Sequence, residues 1–460
     1  MEGHGTALAP EVTTRQRMRP IRDRPYEGGV VVYWMHRDHR ADDNWALLYA
    51  AEMANATDSS LCVAFCLAPD FLDSTLRQYS FMVRGLEEQE RRFKELGMGF
   101  CLLEGYPEVE FPTFLHRLQA GLLVTDFNPL RITNAGVRRV AGEIDIPVHE
   151  VDAHNIVPCW TTANYRIQTY ATFRKRITPL LIEFLTDLPT TSRMKRPWEA
   201  EQVPIEWQGA LERTQVDRSV GEIQWLEPGE KAGKAALAQF LKDRLVEYPE
   251  RSMNPVENRQ SDLSPYIHFG QLSAQRVALE VRRSDAPEES KAKYLDNLIV
   301  KRELSENFCL HTHEYDTTGA FPRWARASLN GHRSDPREHL YTLQELERAQ
   351  SYDPLWNAAQ TELVKRGKIH GSLRQYWAEK ILEWTRSPEE AFAFAVRLND
   401  RYGLDGCDPS GYSGIAMVIG GLYGKPWRPK EVLGKVQRLT YTGERLRYDV
   451  HAYQEKVKNL

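Results

Sequence analysis

The chain has 460 residues, more than one hydrophobic core usually spans, and its 42% hydrophobic and 27% charged residues suit a globular protein of two domains. No apolar run approaches the ~18 residues of a membrane-crossing helix, and six cysteines in this length make no disulfide framework. A net charge of −4 leaves any nucleic-acid surface to a local patch, so the totals neither support nor exclude one.

Residues 1–27 hold no apolar signal core and are expected to be a flexible, basic-tinged tail, with the cytoplasm as default compartment. GVVVYWM (29–35) predicts a buried strand and DDNWALLYAAEMA the amphipathic helix after it. LCVAFCLAP predicts a second strand, with Cys62 and Cys66 as buried thiols rather than a metal pair. FMVRGLEEQERRFKELG, FCLLEG, PTFLHRLQAG, LLVTDF, AGVRRVAGEI and IPVHEVD continue the alternation of helix and strand. This spacing predicts a doubly wound parallel sheet, Rossmann-like, over residues 28–152. It carries neither GxGxxG nor a Walker lysine, so the usual dinucleotide fingerprints are absent.

Residues 153–235 read as an interdomain connector, with one helical stretch (YATFRKRITPLLIEFL) and then a Pro- and Trp-rich passage. From 236 to 460 almost every segment has helical period, which predicts an all-α C-terminal domain. Within it, DPLWNAAQTELVKRG has Asp353 as N-cap, Pro354 at the first helical position and Gly367 as terminator. The short KIHG connection makes GSLRQYWAEKILEW its antiparallel neighbour, so Trp356 can stand against the stripe formed by Trp377 and Trp384. Indole is among the most easily oxidised side chains, and three in line would relay single electrons. Taken alone, the same three indoles are more simply core packing.

Their surroundings argue otherwise. SDLSPYIHFGQLSAQR (261–276) pairs hydroxyls with a helix start, a setting that suits a pyrophosphate, and LNDRYGLDGCDPSGYSG (398–414) reads as an acidic, Gly-rich turn between helices. Together with YWMHRDHRADDNWALLYA, LRQYSFMVRGLEE, VTDFNPLR, VDAHNIVPCW, LIVKRELSENFC, RQYWAEKILEWT and GKVQRLTYTGERLRYDVHAY, in this order, the chain resembles the photolyase/cryptochrome superfamily over residues 28–452. The resemblance is to the class II cyclobutane pyrimidine dimer photolyases. It implies FAD in the helical domain, with Ser261, Leu263 and Ser264 along its phosphates and Arg302 and Glu303 on a flanking helix. It further implies an Arg374–Asp405 ion pair beside the isoalloxazine and Asn399 facing its N5, and a relay running from Trp377 through Trp356 to Trp384 and the surface. A carboxylate, a guanidinium and an amide beside a flavin tune its stable protonation and redox states.

Relatives of this class carry a lesion pocket from which the chain departs. Ser252 and Met253 stand in place of an Arg-Asn pair, Asn297 of a glutamate, Gln375 of a methionine, Met417 of a tryptophan and Gln437 of an arginine. With flavin and relay positions kept and the lesion-binding side chains replaced, the resemblance implies a cryptochrome-like blue-light photoreceptor with weak or no dimer repair. The alternative is a dimer photolyase with a rebuilt pocket, and a third reading is a binding protein with a merely structural flavin. DNA would then be held weakly and non-specifically, and a signalling protein would be the other partner. A deazaflavin antenna of the 8-HDF type in the N-terminal domain stays unassigned, because His36 replaces a small hydroxyl residue there.

Overall fold

The computed structural model describes residues 15–200, 204–257 and 259–460. Six strands form one sheet: β1 (Met18–Arg22), β2 (Val30–Trp34), β3 (Leu61–Leu67), β4 (Gly99–Glu104), β5 (Ala120–Asp126) and β6 (Val148–Val151). Their spatial order is β1-β6-β5-β2-β3-β4. β2 to β6 run parallel, while β1 pairs antiparallel with β6 at the edge. The inner strands β2 and β3 read as unbroken apolar runs because helices cover both faces. Val31, Tyr33, Val63, Phe65 and Val124 point into the larger core, and Val32, Trp34, Cys62, Ala64 and Leu123 into the smaller one behind the sheet.

The tail expected over residues 1–27 needs correction. Its first fourteen residues lie outside the described ones, but residues 18–22 are strand β1 and Arg17 is fully buried. The Arg17 guanidinium donates to the carbonyls of Asn155 (3.0 Å) and Ile156 (2.7 Å) and to the Gln275 side chain (3.2 Å), which fixes the segment across the sheet edge. A run of mixed polar residues becomes ordered because its charges find buried acceptors.

Several helices are offset from the sequence expectation. The helix expected from residue 81 spans Leu76–Glu95, started by a reciprocal Thr75–Gln78 capping box. That expected from Pro112 spans Pro107–Arg117, with Pro107 at the first position and Pro112 inside. The connector also contains the helix Tyr170–Phe184, which sends Phe173, Ile177 and Phe184 into the larger core. The helical run from Glu288 to His311 contains a π-turn at Asp296–Lys301. The acidic turn continues directly into a helix, Pro409–Gly420, that glycine-rich composition had hidden.

The sheet and the helices after it meet in a charged seam. Arg37 forms a two-pronged ion pair with Glu306 (2.9 and 2.6 Å), and Arg40 donates to the carbonyls of Gly270 (2.9 Å) and Ala153 (2.8 Å). Gly270 has φ +61°, and an added Cβ there would lie 2.3 Å from the Arg37 carbonyl oxygen. Gly270→Ala is therefore expected to destabilise the fold by about 2–4 kcal/mol, since neither backbone can retreat. A denaturant midpoint within error of wild type would show that the seam can yield.

Candidate flavin cavity and indole path

Three walls build a cavity of about 240 Å³ in the helical part. The first is the helix Gly371–Glu383, which begins after Gly367 (φ +70°) stops Pro354–Arg366. Its Arg374 reaches Asp405 Oδ1 at 3.0 Å, as expected. Burial disfavours the charge on Asp405, but Arg374 and the Ser264 hydroxyl outweigh it and hold the carboxyl below its ordinary range. The turn carrying Asp405 is pinned by the buried Asp400, whose carboxylate accepts from Cys407 N–H (2.8 Å), Asn399 Nδ2 (2.9 Å) and the Tyr412 hydroxyl (3.0 Å).

The second wall is the segment 261–268. Ser261, Leu263 and Ser264 line the cavity, and Asp262 turns away to pair with Arg244 (2.8 Å) and Lys368. The helix expected to follow as a phosphate seat is one short turn, Ser264–His268, so hydroxyls rather than a long helix dipole supply polarity here. The third wall is the π-turn and the residue after it. π-turns re-aim side chains, and this one places Asn297 and Leu298 on the cavity, with Asn297 donating to the Tyr248 hydroxyl (3.1 Å). Arg302 donates to the Leu298 carbonyl (3.1 Å) and to Glu303 (3.0 Å), while its buried Nη1 has no partner.

Ser261, Leu263, Ser264, Arg302, Arg374 and Asp405 therefore converge on one cavity. Asn399 and Glu303 do not line it. Asn399 stands directly behind the lining residue Gly411, where an added Cβ would come within 2.9 Å of its amide nitrogen. Glu303 points to the chain leaving the sheet and accepts from Ile156 N–H (2.7 Å). Of the substituted lesion positions only Asn297 lines the cavity. Ser252 is buried, Met253 and Gln437 are exposed, Gln375 is half-buried, and Met417 sulfur meets the Tyr170 hydroxyl at 3.4 Å. Sequence reading missed His154, His268 and Asp408, which also face the cavity. VDAHN and LSPYIH were noted as segments, yet nothing in them marks which imidazole turns inward.

Burial pushes the Glu303 carboxyl up from an ordinary 4.5 to about 7, against Arg302 and the backbone N–H groups. A carboxyl whose pKa rises on folding favours the folded state most below 4.5, and that contribution is lost as pH climbs to about 7. Glu303→Gln should flatten this part of the stability-versus-pH curve. An unchanged slope would mean another group causes it.

The indoles form an unbroken path beside the cavity. Trp356 and Trp377 lie parallel, with centroids 6.5 Å apart and planes at 1°. Trp384 meets Trp356 edge-on at 5.4 Å. Each inner indole N–H is satisfied, Trp356 on the Trp377 carbonyl (2.9 Å) and Trp377 on Gln360 (2.9 Å). The outer end differs from expectation: Trp384 is only 2% exposed and does not itself reach the surface. It is the residue that ends the helix, and the segment before Pro354 folds over it.

The donor set suits FAD. The hydroxyls of Ser261 and Ser264 and the unpartnered Arg302 N–H offer polarity to phosphates, and the Arg374–Asp405 pair offers both charges to a polar ring system. A larger cavity of about 380 Å³ opens where the chain leaves the C-terminal ends of β2 and β5, the point at which strand order reverses. Trp34, Phe65, His36 and His39 line it, and Nδ1 of His36 and both ring nitrogens of His39 are buried without partners. Burial drives these imidazoles down to about 4 and about 3, so both are neutral near pH 7. His268 and Asp408, paired at 3.0 Å, stand in the wall common to the two cavities.

Comparison with known proteins agrees with this architecture. The sequence profile of the family described as DNA photolyase matches residues 31–193. The deoxyribodipyrimidine photo-lyase of Potorous tridactylus is 43% identical over 430 residues, covering 93% of this chain and 81% of that protein. That of Arabidopsis thaliana is 42% identical over 448 residues, covering 94% and 89%. A cryptochrome from Synechocystis sp. PCC6803 shares the fold, with TM-score 0.73 at 16% identity over 94% of this chain and 89% of that one.

Proposed function

The chain belongs to the DNA photolyase family, and on that premise we propose that it is a light-driven, FAD-dependent deoxyribodipyrimidine photolyase of the class II branch. The observation that carries this reading is the adjacency of the Arg374–Asp405 cavity and a continuous three-indole path one helical turn away. A flavin with a purely structural role needs no such path. Bound FAD would supply absorption of blue light and one-electron exchange in either direction. Trp377 would give up the first electron, Trp356 would refill Trp377, and Trp384 would refill Trp356. Arg374 and Asp405 would hold the flavin ring, with Asn399 one layer behind them. A division at 152/153 and 235/236 is part of this proposal, with the sheet unit for an antenna and the helical unit for FAD. A deazaflavin of the 8-HDF type fits the larger cavity by its apolar walls and its unpartnered imidazole nitrogens.

A second reading, the photoreceptor without repair, is favoured by one observation: Asn297, where the family resemblance implies a carboxyl, is the lesion position that faces the cavity. The relatives reverse the order in which the sequence alone placed the two readings, because those that share nearly the whole chain at 42–43% identity are named photo-lyases. Damaged DNA is accordingly the proposed partner, and a signalling protein belongs only to the second reading.

The purified protein should be yellow and release FAD on denaturation. Arg374→Ala removes the charged hydrogen bond to Asp405 and should weaken FAD retention about tenfold or more, roughly 1.5–3 kcal/mol. A folded wild-type preparation that takes up no added FAD would overturn the proposal.

A further inference from the structure

Trp384 is covered by two phenols. Tyr341 meets its indole edge-on, with centroids 5.5 Å apart and planes at 81°, and Tyr352 does so at 5.6 Å and 66°. The three are locked together by backbone: Tyr341 N–H donates to the Trp384 carbonyl (3.1 Å), and Tyr352 N–H donates to the Tyr341 hydroxyl (2.9 Å). Tyr352 is 56% exposed, and His339 stacks on it with centroids 4.1 Å apart and planes at 30°. The path thus continues outward, in ring contact at each step, to an aromatic side chain in water.

We propose that the relay does not end at Trp384 and that Tyr352 is its outlet, oxidised by Trp384 with loss of the phenolic proton. This rests on the relay reading given above. The step is Trp384•+ + Tyr352–OH → Trp384 + Tyr352–O• + H+. One electron passes from the phenol to the oxidised indole, and the proton goes to bulk water, to which Tyr352 is 56% exposed. An external thiol closes the cycle by donating a hydrogen atom to Tyr352–O•. A phenol that loses an electron becomes a very strong acid, so the transfer needs a proton acceptor close by. Trp384 is only 2% exposed, whereas Tyr352 is 56% exposed and stands in water. Tyr341 is the poorer outlet: it is half-buried and its oxygen already accepts the Tyr352 N–H. Losing the proton to water makes return of the electron uphill, so the outlet lengthens the life of the separated charges.

The test is transient absorption and freeze-trapped electron paramagnetic resonance on the FAD-loaded full chain after a blue flash. In wild type, the broad tryptophanyl signal should give way to the narrow band of a neutral tyrosyl radical. Tyr352→Phe should lose the tyrosyl signal, keep the tryptophanyl one, and recombine about tenfold faster; Tyr341→Phe should retain the tyrosyl signal. Wild type that forms the tryptophanyl radical but no tyrosyl, with Tyr352→Phe recombining at the same rate, overturns the outlet and leaves the relay standing. Loss of the tyrosyl signal in Tyr341→Phe instead also overturns it. If no tryptophanyl radical forms in wild type, the relay falls and the outlet with it.

Discussion

Illuminated Trp377→Phe protein, loaded with FAD and given an external thiol, is expected to lose most photoreduction. Phenylalanine is far harder to oxidise than tryptophan, so the first transfer from the chain to the flavin would become strongly uphill. A penalty of only ~2.7 kcal/mol on that step already slows it on the order of a hundredfold. Trp377 is the inner end of the path by geometry, one turn from Arg374 and stacked on Trp356, whose other ring partner, Trp384, leads outward. Trp384→Phe should have a milder effect, shortening the separation of charge rather than preventing it. The decisive measurement is the bleaching rate of oxidised flavin under constant blue light. If both variants bleach at the wild-type rate, the indoles are packing residues of the helical core and nothing more.

Reduced, illuminated wild-type protein is expected to clear cyclobutane dimers from DNA, with lesion affinity only modestly above that for undamaged duplex. Taking a dimer out of the stack costs a few kcal/mol, which side chains in the pocket must offset. Here the cavity offers the Asn297 amide where the family resemblance implies a carboxyl, and Met417, which lies off the cavity against Tyr170, stands where it implies an indole. Each interaction of that kind contributes ~1–3 kcal/mol. The double substitution Asn297→Glu with Met417→Trp should therefore tighten binding to dimer-containing DNA by about 30-fold or more, while binding to undamaged DNA stays salt-sensitive and unchanged. Asn297 donates to Tyr248 and Met417 meets Tyr170, so both new side chains have aromatic neighbours to pack against. Wild-type protein that photoreduces normally yet clears no dimers would give the photoreceptor reading the stronger claim. Repair that is already full and unaffected by the double substitution would show that other side chains hold the lesion.

Elements with local signals were legible in the order of residues. Apolar runs bounded by turn residues marked β2 to β5, the strand–helix alternation marked β6, and Asp353, Pro354 and Gly367 bounded the helix that carries Trp356 to the residue. The line of three indoles followed from helical spacing, whereas the Arg374–Asp405 pair came only from the family resemblance. Whatever depends on which buried partner a polar group finds was settled instead by the packing of distant segments. Arg17 turned an expected tail into an edge strand because the carbonyls of Asn155 and Ile156, just beyond β6, accept its N–H groups. Glu303, placed beside the cofactor by its helix, points instead to the backbone at Ile156, and a π-turn no periodicity reveals sets the direction of Asn297. The family resemblance implied a relay that reaches the surface at Trp384, yet Tyr341 and Tyr352 fold back over it from another segment. Spacing along a helix fixes which residues share a face, but only neighbours remote in the chain decide whether that face meets water.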